Sequence, residues 1–106
     1  MTLETVKAHI KNEAGVLLYF SGEQCHVCHA LRPKFAEAFD THFPLVKQLF
    51  LDAEAEADIA AHFQAFAVPT MIVFLQGREF AREGRAVSLH RLVEKLSRPY
   101  QIMTEA

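Results

Sequence analysis

The apolar positions change period several times along the chain, and each change marks an element. Leu3, Val6 and Ile10 recur at helical spacing behind Thr2, a residue suited to an N-cap, and Gly15 reads as the stop of this short amphipathic helix. VLLYF, Val16 to Phe20, is then an unbroken apolar run of strand length between Gly15 and Gly22, the pattern of a central strand covered on both faces. From His26 onward the period is helical again. Val27, Leu31, Phe35 and Phe39 make one apolar stripe, with Ala30 and Ala38 beside it, in a helix ending near His42. Pro33 removes one backbone hydrogen bond inside that helix, but the stripe stays in phase beyond it, which predicts a kink rather than an end.

After Pro44, LVKQLFL (Leu45 to Leu51) reads as a second strand, and Glu54 to Ala65 as a helix with Ile59 and Phe63 inward. Asp52, Glu54, Glu56 and Asp58 read as carboxylates at the start of that helix, favoured by its dipole, rather than as a binding patch. TMIVFL (Thr70 to Leu75), a turn at Gln76-Gly77 and EFAREG (Glu79 to Gly84) predict a hairpin of one apolar strand and one polar edge strand. Leu89, Leu92, Val93 and Leu96 close the chain as a helix behind a Ser88 cap, and Pro99 should stop it, leaving residues 98–106 as a C-terminal tail. In this order the first two strands are parallel, joined by a right-handed helical crossover, and the last two antiparallel. The fold class is α/β: a small mixed sheet with helices on both faces, one domain over residues 1–106.

A chain of 106 residues with 51% apolar content can bury one core. Its formal charge of -2 gives no general attraction to nucleic acid or anionic lipid, and no apolar run approaches the ~20 residues a spanning helix requires. The first residues carry no basic segment followed by an apolar stretch, so the cytoplasm is the expected location. There, two closely spaced cysteines are more often catalytic or metal-binding than structural.

Those cysteines lie in EQCHVCH, residues 23 to 29. Cys25 to Cys28 is C-x-x-C, the pattern of a redox dithiol; with His29 it is C-x-x-C-H, the pattern of a c-type haem anchor. A haem protein of this length would be largely helical, without a strand leading into its cysteines. Cys25, His26, Cys28 and His29 are also ligands suited to zinc or copper. Adjacent helical residues point about 100 degrees apart, so one ion is not expected to take all four; a surface site using two or three of them is an alternative reading, and the main reading expects no metal. The dithiol falls where the carboxyl end of the first strand meets a helix N-terminus, where open α/β sheets place their sites.

VLLYFSGEQCHVCHALRPKF followed by VPTMIVFLQGREFAREG resembles the thioredoxin superfamily, with Cys25, Cys28, Pro33, Pro69 and Gly84 in the family's places. The resemblance implies a thioredoxin fold reduced to a four-stranded sheet, since Met1 and Thr2 leave no room for the family's extra N-terminal strand. It implies a thiol:disulfide oxidoreductase acting on protein disulfides. Cys25, ahead of the helix and exposed, would be the attacking thiolate, and Cys28, one turn in and more buried, the resolving sulfur. The Cys25–Cys28 disulfide would be the redox group, with no other cofactor. The implied partners are a protein or small-molecule disulfide and an upstream thiol/disulfide reductase, with no nucleic acid and no membrane. Pro69 would be cis, with the Val68 backbone pairing an extended substrate segment, and Gln24 and Gly84 would complete the substrate-binding surface.

The departures from the family pattern lie close to the dithiol. Gln24 stands where a Trp is usual, Tyr19 at the place of a buried Asp, and Gln48 at that of its Lys partner. Tyr19, His26 and His29 are therefore the candidates for tuning the cysteines. A docking module with weak redox turnover is the alternative these departures motivate.

Overall fold

The computed structural model describes residues 1–105. Its elements are α1 (Leu3–Asn12), β1 (Gly15–Ser21), α2 (His26–His42), β2 (Val46–Asp52), α3 (Ala57–His62), β3 (Thr70–Leu75), β4 (Arg78–Glu83) and α4 (Leu89–Glu105). They build one four-stranded sheet in the order β2-β1-β3-β4. β1 pairs with β2 in parallel and with β3 antiparallel, and β4 runs antiparallel at the edge with an irregularity between Val73 and Phe74. This is the mixed sheet the pattern predicted.

A strand places successive side chains on opposite faces, so a strand that is apolar throughout must be covered twice. Leu17 and Tyr19 of β1 face Phe35, Phe39, Leu92 and Leu96 from α2 and α4. Val16, Leu18 and Phe20 face Val6 and Ile59 from α1 and α3. The stripe on α2 continues as a ladder of rings, Phe35 to Phe39 at 6.0 Å and Phe39 to Phe43 at 5.2 Å between centroids. Helix α2 runs unbroken past Pro33, as its in-phase stripe required.

Four details differ from the sequence-based expectation. Gly15 does not end α1 but opens β1: a Cβ there would stand 2.9 Å from Val46 Cγ2 and 3.2 Å from the Phe74 carbonyl, so close strand approach demands glycine. Helix α3 is shorter than Glu54 to Ala65. Asp52 Oδ1 accepts from the amides of Glu54 and Ala55, which shapes those residues into a turn instead. At the other end Gln64 takes φ +57° and the Ala65 amide donates to the Ala60 carbonyl, closing the helix as glycine commonly does. Of the four acids only Asp58 sits in the first turn of α3, and Glu56 Oε1 lies 3.4 Å from the N-terminal amine.

The fourth difference is the C-terminus: residues 98–105 are not a tail but the last turns of α4, which continues through Pro99, while Ala106 lies outside the described residues. Leu92, Leu96, Tyr100 and Met103 share one helical face, and Tyr100 packs edge-on to Phe43 at 5.1 Å while its hydroxyl accepts from the Leu45 amide at 3.1 Å. That burial outweighs one missing backbone hydrogen bond.

Candidate active site

The loop from β1 to α2 brings the two cysteines together. The Cys25 amide donates to the Gly22 carbonyl at 3.1 Å, a tight turn that leaves Glu23 and Gln24 exposed at its tip and returns Cys25 to the mouth of α2. Cys25 is the N-cap, and its sulfur accepts from the Cys28 amide at 3.2 Å. A helix N-terminus presents unpaired amides and the positive end of its dipole, and the first turn of α2 holds no acidic residue to oppose it.

Cys25 and Cys28 are joined as a disulfide with their Cα atoms 5.3 Å apart. Cys28 is wholly buried, and Cys25 keeps 9% of its surface, less than the exposed position expected of it. The neighbouring chain explains the difference. A Cβ built on Gly22 would touch Val68 Cγ2 at 3.4 Å and Cys25 Cβ at 3.8 Å, so the Val68 loop crowds the outer cysteine from one side. Even so, Cys25 is the one of the two cysteines that solvent reaches.

Val68 and Pro69 are joined by a cis peptide bond, Pro69 is buried and Val68 half-buried. A Cβ on Gly84 would lie 3.8 Å from the Pro69 carbonyl, which puts Gly84 on the far side of the same loop. Thus the fold sets Val68 beside the outer cysteine, with Pro69 next in the chain and Gly84 against the Pro69 carbonyl, while Gln24 is exposed. His26 and His29 are both exposed. The His29 ring nitrogen Nε2 lies 2.9 Å from the Glu23 carbonyl, which can only accept, so His29 ties down the turn that precedes Cys25.

Tyr19 lies under the pair. Its ring is fully buried, and its hydroxyl donates to the Cys28 carbonyl at 2.7 Å. Burial pushes its phenol above the ordinary range, partly offset by the Arg32 guanidinium. Gln48 is not its partner: Phe50 stands opposite Tyr19 in the β1–β2 register, and the Gln48 amide donates to Asp40 at 2.8 Å. Arg32 stacks over the Phe50 ring at 4.2 Å.

Phe66, Arg32 and Phe50, and Gly22 beyond its place at the strand end, belong to the site without having been singled out by sequence pattern. Phe66, two residues before Val68, is 80% exposed and rims a shallow groove floored by Ala53, Ala57 and Ala60 that Gly22 and Val68 connect to the dithiol. A lone Phe in a loop beside Val-Pro-Thr was the available signal. Among the described residues no three His, Cys, Asp or Glu side chains converge as a metal site, and no helix is long and apolar enough to cross a membrane.

A disulfide capping the helix that follows a central strand, beside a proline loop, defines a protein of dithiol–disulfide exchange built on the thioredoxin fold. The model of the thioredoxin family matches residues 1–98, and the chain belongs to that family. It is 35% identical over 101 residues to the thioredoxin-like protein YdfQ of Bacillus subtilis, covering 95% of this chain and 89% of that one. It is 34% identical to a thioredoxin of Chlamydia muridarum, covering 78% and 80% of the two chains. Its fold is similar to that of mitochondrial thioredoxin 3 of Saccharomyces cerevisiae in the oxidised form, with a TM-score of 0.77 at 20% identity over 92% of this chain and 90% of that one. The protein is a thiol:disulfide oxidoreductase.

Proposed function

We propose that the protein reduces disulfides in protein substrates, with Cys25 attacking and Cys28 resolving. The observation that carries this reading is the 3.2 Å contact from the Cys28 amide to Cys25 Sγ, which favours negative charge on the outer sulfur. In the reduced protein the Cys25 thiolate attacks one substrate sulfur, the substrate S–S bond breaks, and the first substrate thiolate leaves and takes a proton from water. Cys28 then loses its proton, attacks Cys25 Sγ and releases the second substrate thiolate. The substrate gains two electrons and two protons, and the protein, having given them up, is left with the oxidised Cys25–Cys28 pair until an upstream thiol/disulfide reductase returns it to the dithiol. The disulfide serves as the redox group and no further cofactor enters the cycle.

Val68 and Pro69 are read as the edge along which an extended substrate segment docks, with Gln24 and Gly84 at its ends. The exposed Phe66 and its alanine-floored groove support a protein substrate, since they offer apolar area beyond what a small disulfide needs. The similarity to thioredoxins favours reduction as the direction, the cytoplasm as the compartment and maintenance of cellular thiols as the role. His26 and His29 are read as modulators from the solvent side.

Insulin reduction driven by dithiothreitol tests the activity, and Cys25→Ser and Cys28→Ser must each abolish it. A docking module with weak turnover would show little activity to abolish. Cys28→Ser protein must in addition accumulate mixed disulfides through Cys25 in cell extract; accumulation in the Cys25→Ser protein instead would reverse the two roles.

A further inference from the structure

Cys28 is placed by more than the helix it belongs to. Its carbonyl receives the Tyr19 hydroxyl at 2.7 Å, a bond from the central strand to the turn that carries the inner sulfur. Tyr19 is itself wedged, edge-on to Phe35 at 5.5 Å and tilted against Phe50 at 5.5 Å, so its hydroxyl has a fixed position. One turn along, Arg32 is anchored by its stack on Phe50. These anchors fall where the helix is weakest. Pro33 lacks an N–H, so the His29 carbonyl, next to that of Cys28, loses its helical donor.

We propose that Tyr19 is a positioning residue for ring closure: its hydroxyl holds the Cys28 turn of α2 against β1, keeping the inner sulfur within reach of the outer one. This rests on the reading that Cys25 attacks and Cys28 resolves. During reaction with substrate the Cys25–Cys28 bond is absent, and nothing covalent then keeps the two sulfurs adjacent. The Tyr19 bond remains, because it engages a backbone carbonyl that neither step alters. The raised phenol pKa agrees with a hydroxyl that keeps its proton and donates throughout. Intramolecular steps depend steeply on such placement, because misplacement by a fraction of an ångström reduces the share of reactive conformers.

Reaction of the reduced protein with 5,5′-dithiobis(2-nitrobenzoate) separates the two steps. Cys25 attacks the reagent and releases one thionitrobenzoate at a rate proportional to reagent concentration. Cys28 then gives its proton to solvent, attacks Cys25 Sγ and expels the second thionitrobenzoate at a rate independent of reagent concentration. In Tyr19→Phe the ring and its packing remain and only the donor is lost. The first phase should stay within about twofold of wild type, and the second should slow about fivefold, the size of one neutral hydrogen bond. Protein with 3-fluorotyrosine at position 19, which keeps both ring and donor, should close within about twofold of wild type. An unchanged second phase in Tyr19→Phe, equal slowing of both phases, or closure by the fluorotyrosine protein as slow as that of the phenylalanine variant would overturn the proposal. Loss of the first phase in Cys28→Ser rather than in Cys25→Ser would instead overturn the assignment of the two cysteines.

Discussion

The amide of Cys28 donates to the sulfur of Cys25, so in the proposed cycle the residue that closes the disulfide also supports charge on the attacking sulfur. The donor belongs to the first turn of α2, where the dipole adds to the local bond and no carboxylate opposes it. Titration of the reduced protein by thiolate absorbance at 240 nm should give a first midpoint below the ~8.5 of free cysteine. The signal should vanish in Cys25→Ser and persist in Cys28→Ser. A first midpoint at or above the free value would remove the physical basis for attack by Cys25.

Gly22 keeps open the space between the outer cysteine and the Val68 loop. A single methyl there would already sit 3.4 Å from Val68 and 3.8 Å from Cys25, and the branched side chain of Gly22→Val would fill the notch. An extended polypeptide should then be held away from the sulfur, whereas a small aromatic disulfide should still reach it. Insulin reduction should fall about tenfold in kcat/KM while the first phase with the small reagent changes less than about threefold. Equal loss with both substrates would show that the notch does not carry docking.

The parts of this molecule that were legible in the sequence are those decided by local pattern. The all-apolar VLLYF announced a strand covered twice, the Phe35-Phe39 stripe carried α2 past Pro33, and C-x-x-C marked the helix start. What escaped depended on contacts between distant residues or on backbone shape without a residue signature. Gly15 is explained by Val46 and Phe74 across the sheet, and Tyr100 by Phe43. Gln64 closes α3 in a left-handed conformation that its side chain does not advertise. Tyr19 is a tuning candidate in the sequence only through the family resemblance, as it stands at the place of a buried Asp, and its bond to the Cys28 carbonyl required the fold.

Tyr100 offers a direct measure of how firmly the end of α4 is held. Its ring packs on Phe43 and its hydroxyl accepts from the Leu45 amide. Tyr100→Phe removes only the acceptor and should cost about 1 kcal/mol. Tyr100→Ala removes the ring as well and, from a half-buried site, should cost about 2–3 kcal/mol in urea unfolding. Both variants should keep the two thiol phases unchanged, since the site lies at the other end of α2. A cost under about 0.5 kcal/mol for the alanine variant would mean that the helix beyond Pro99 is not packed.

Glu79 and Arg82 make the best-formed ion pair on the surface, with guanidinium atoms 3.0 and 2.8 Å from the two carboxylate oxygens. Arg82 also donates to the Phe63 carbonyl at 2.8 Å, so the pair joins β4 to the end of α3. The hydrogen bonds from Arg82 hold the Glu79 carboxyl below its ordinary value of 4.5. A carboxyl lowered by folding adds stability at pH values above its unfolded value, and loses that contribution as pH falls through its folded value. Both side chains are more than a third exposed, and solvent screening keeps the effect small. Glu79→Gln should therefore cost about 0.5 kcal/mol near neutral pH at low salt, and the gap to wild type should narrow as the pH falls below about 4. Urea unfolding at several pH values measures that gap. If it stays constant down to about pH 2, the loss in Glu79→Gln comes from packing and not from the ion pair.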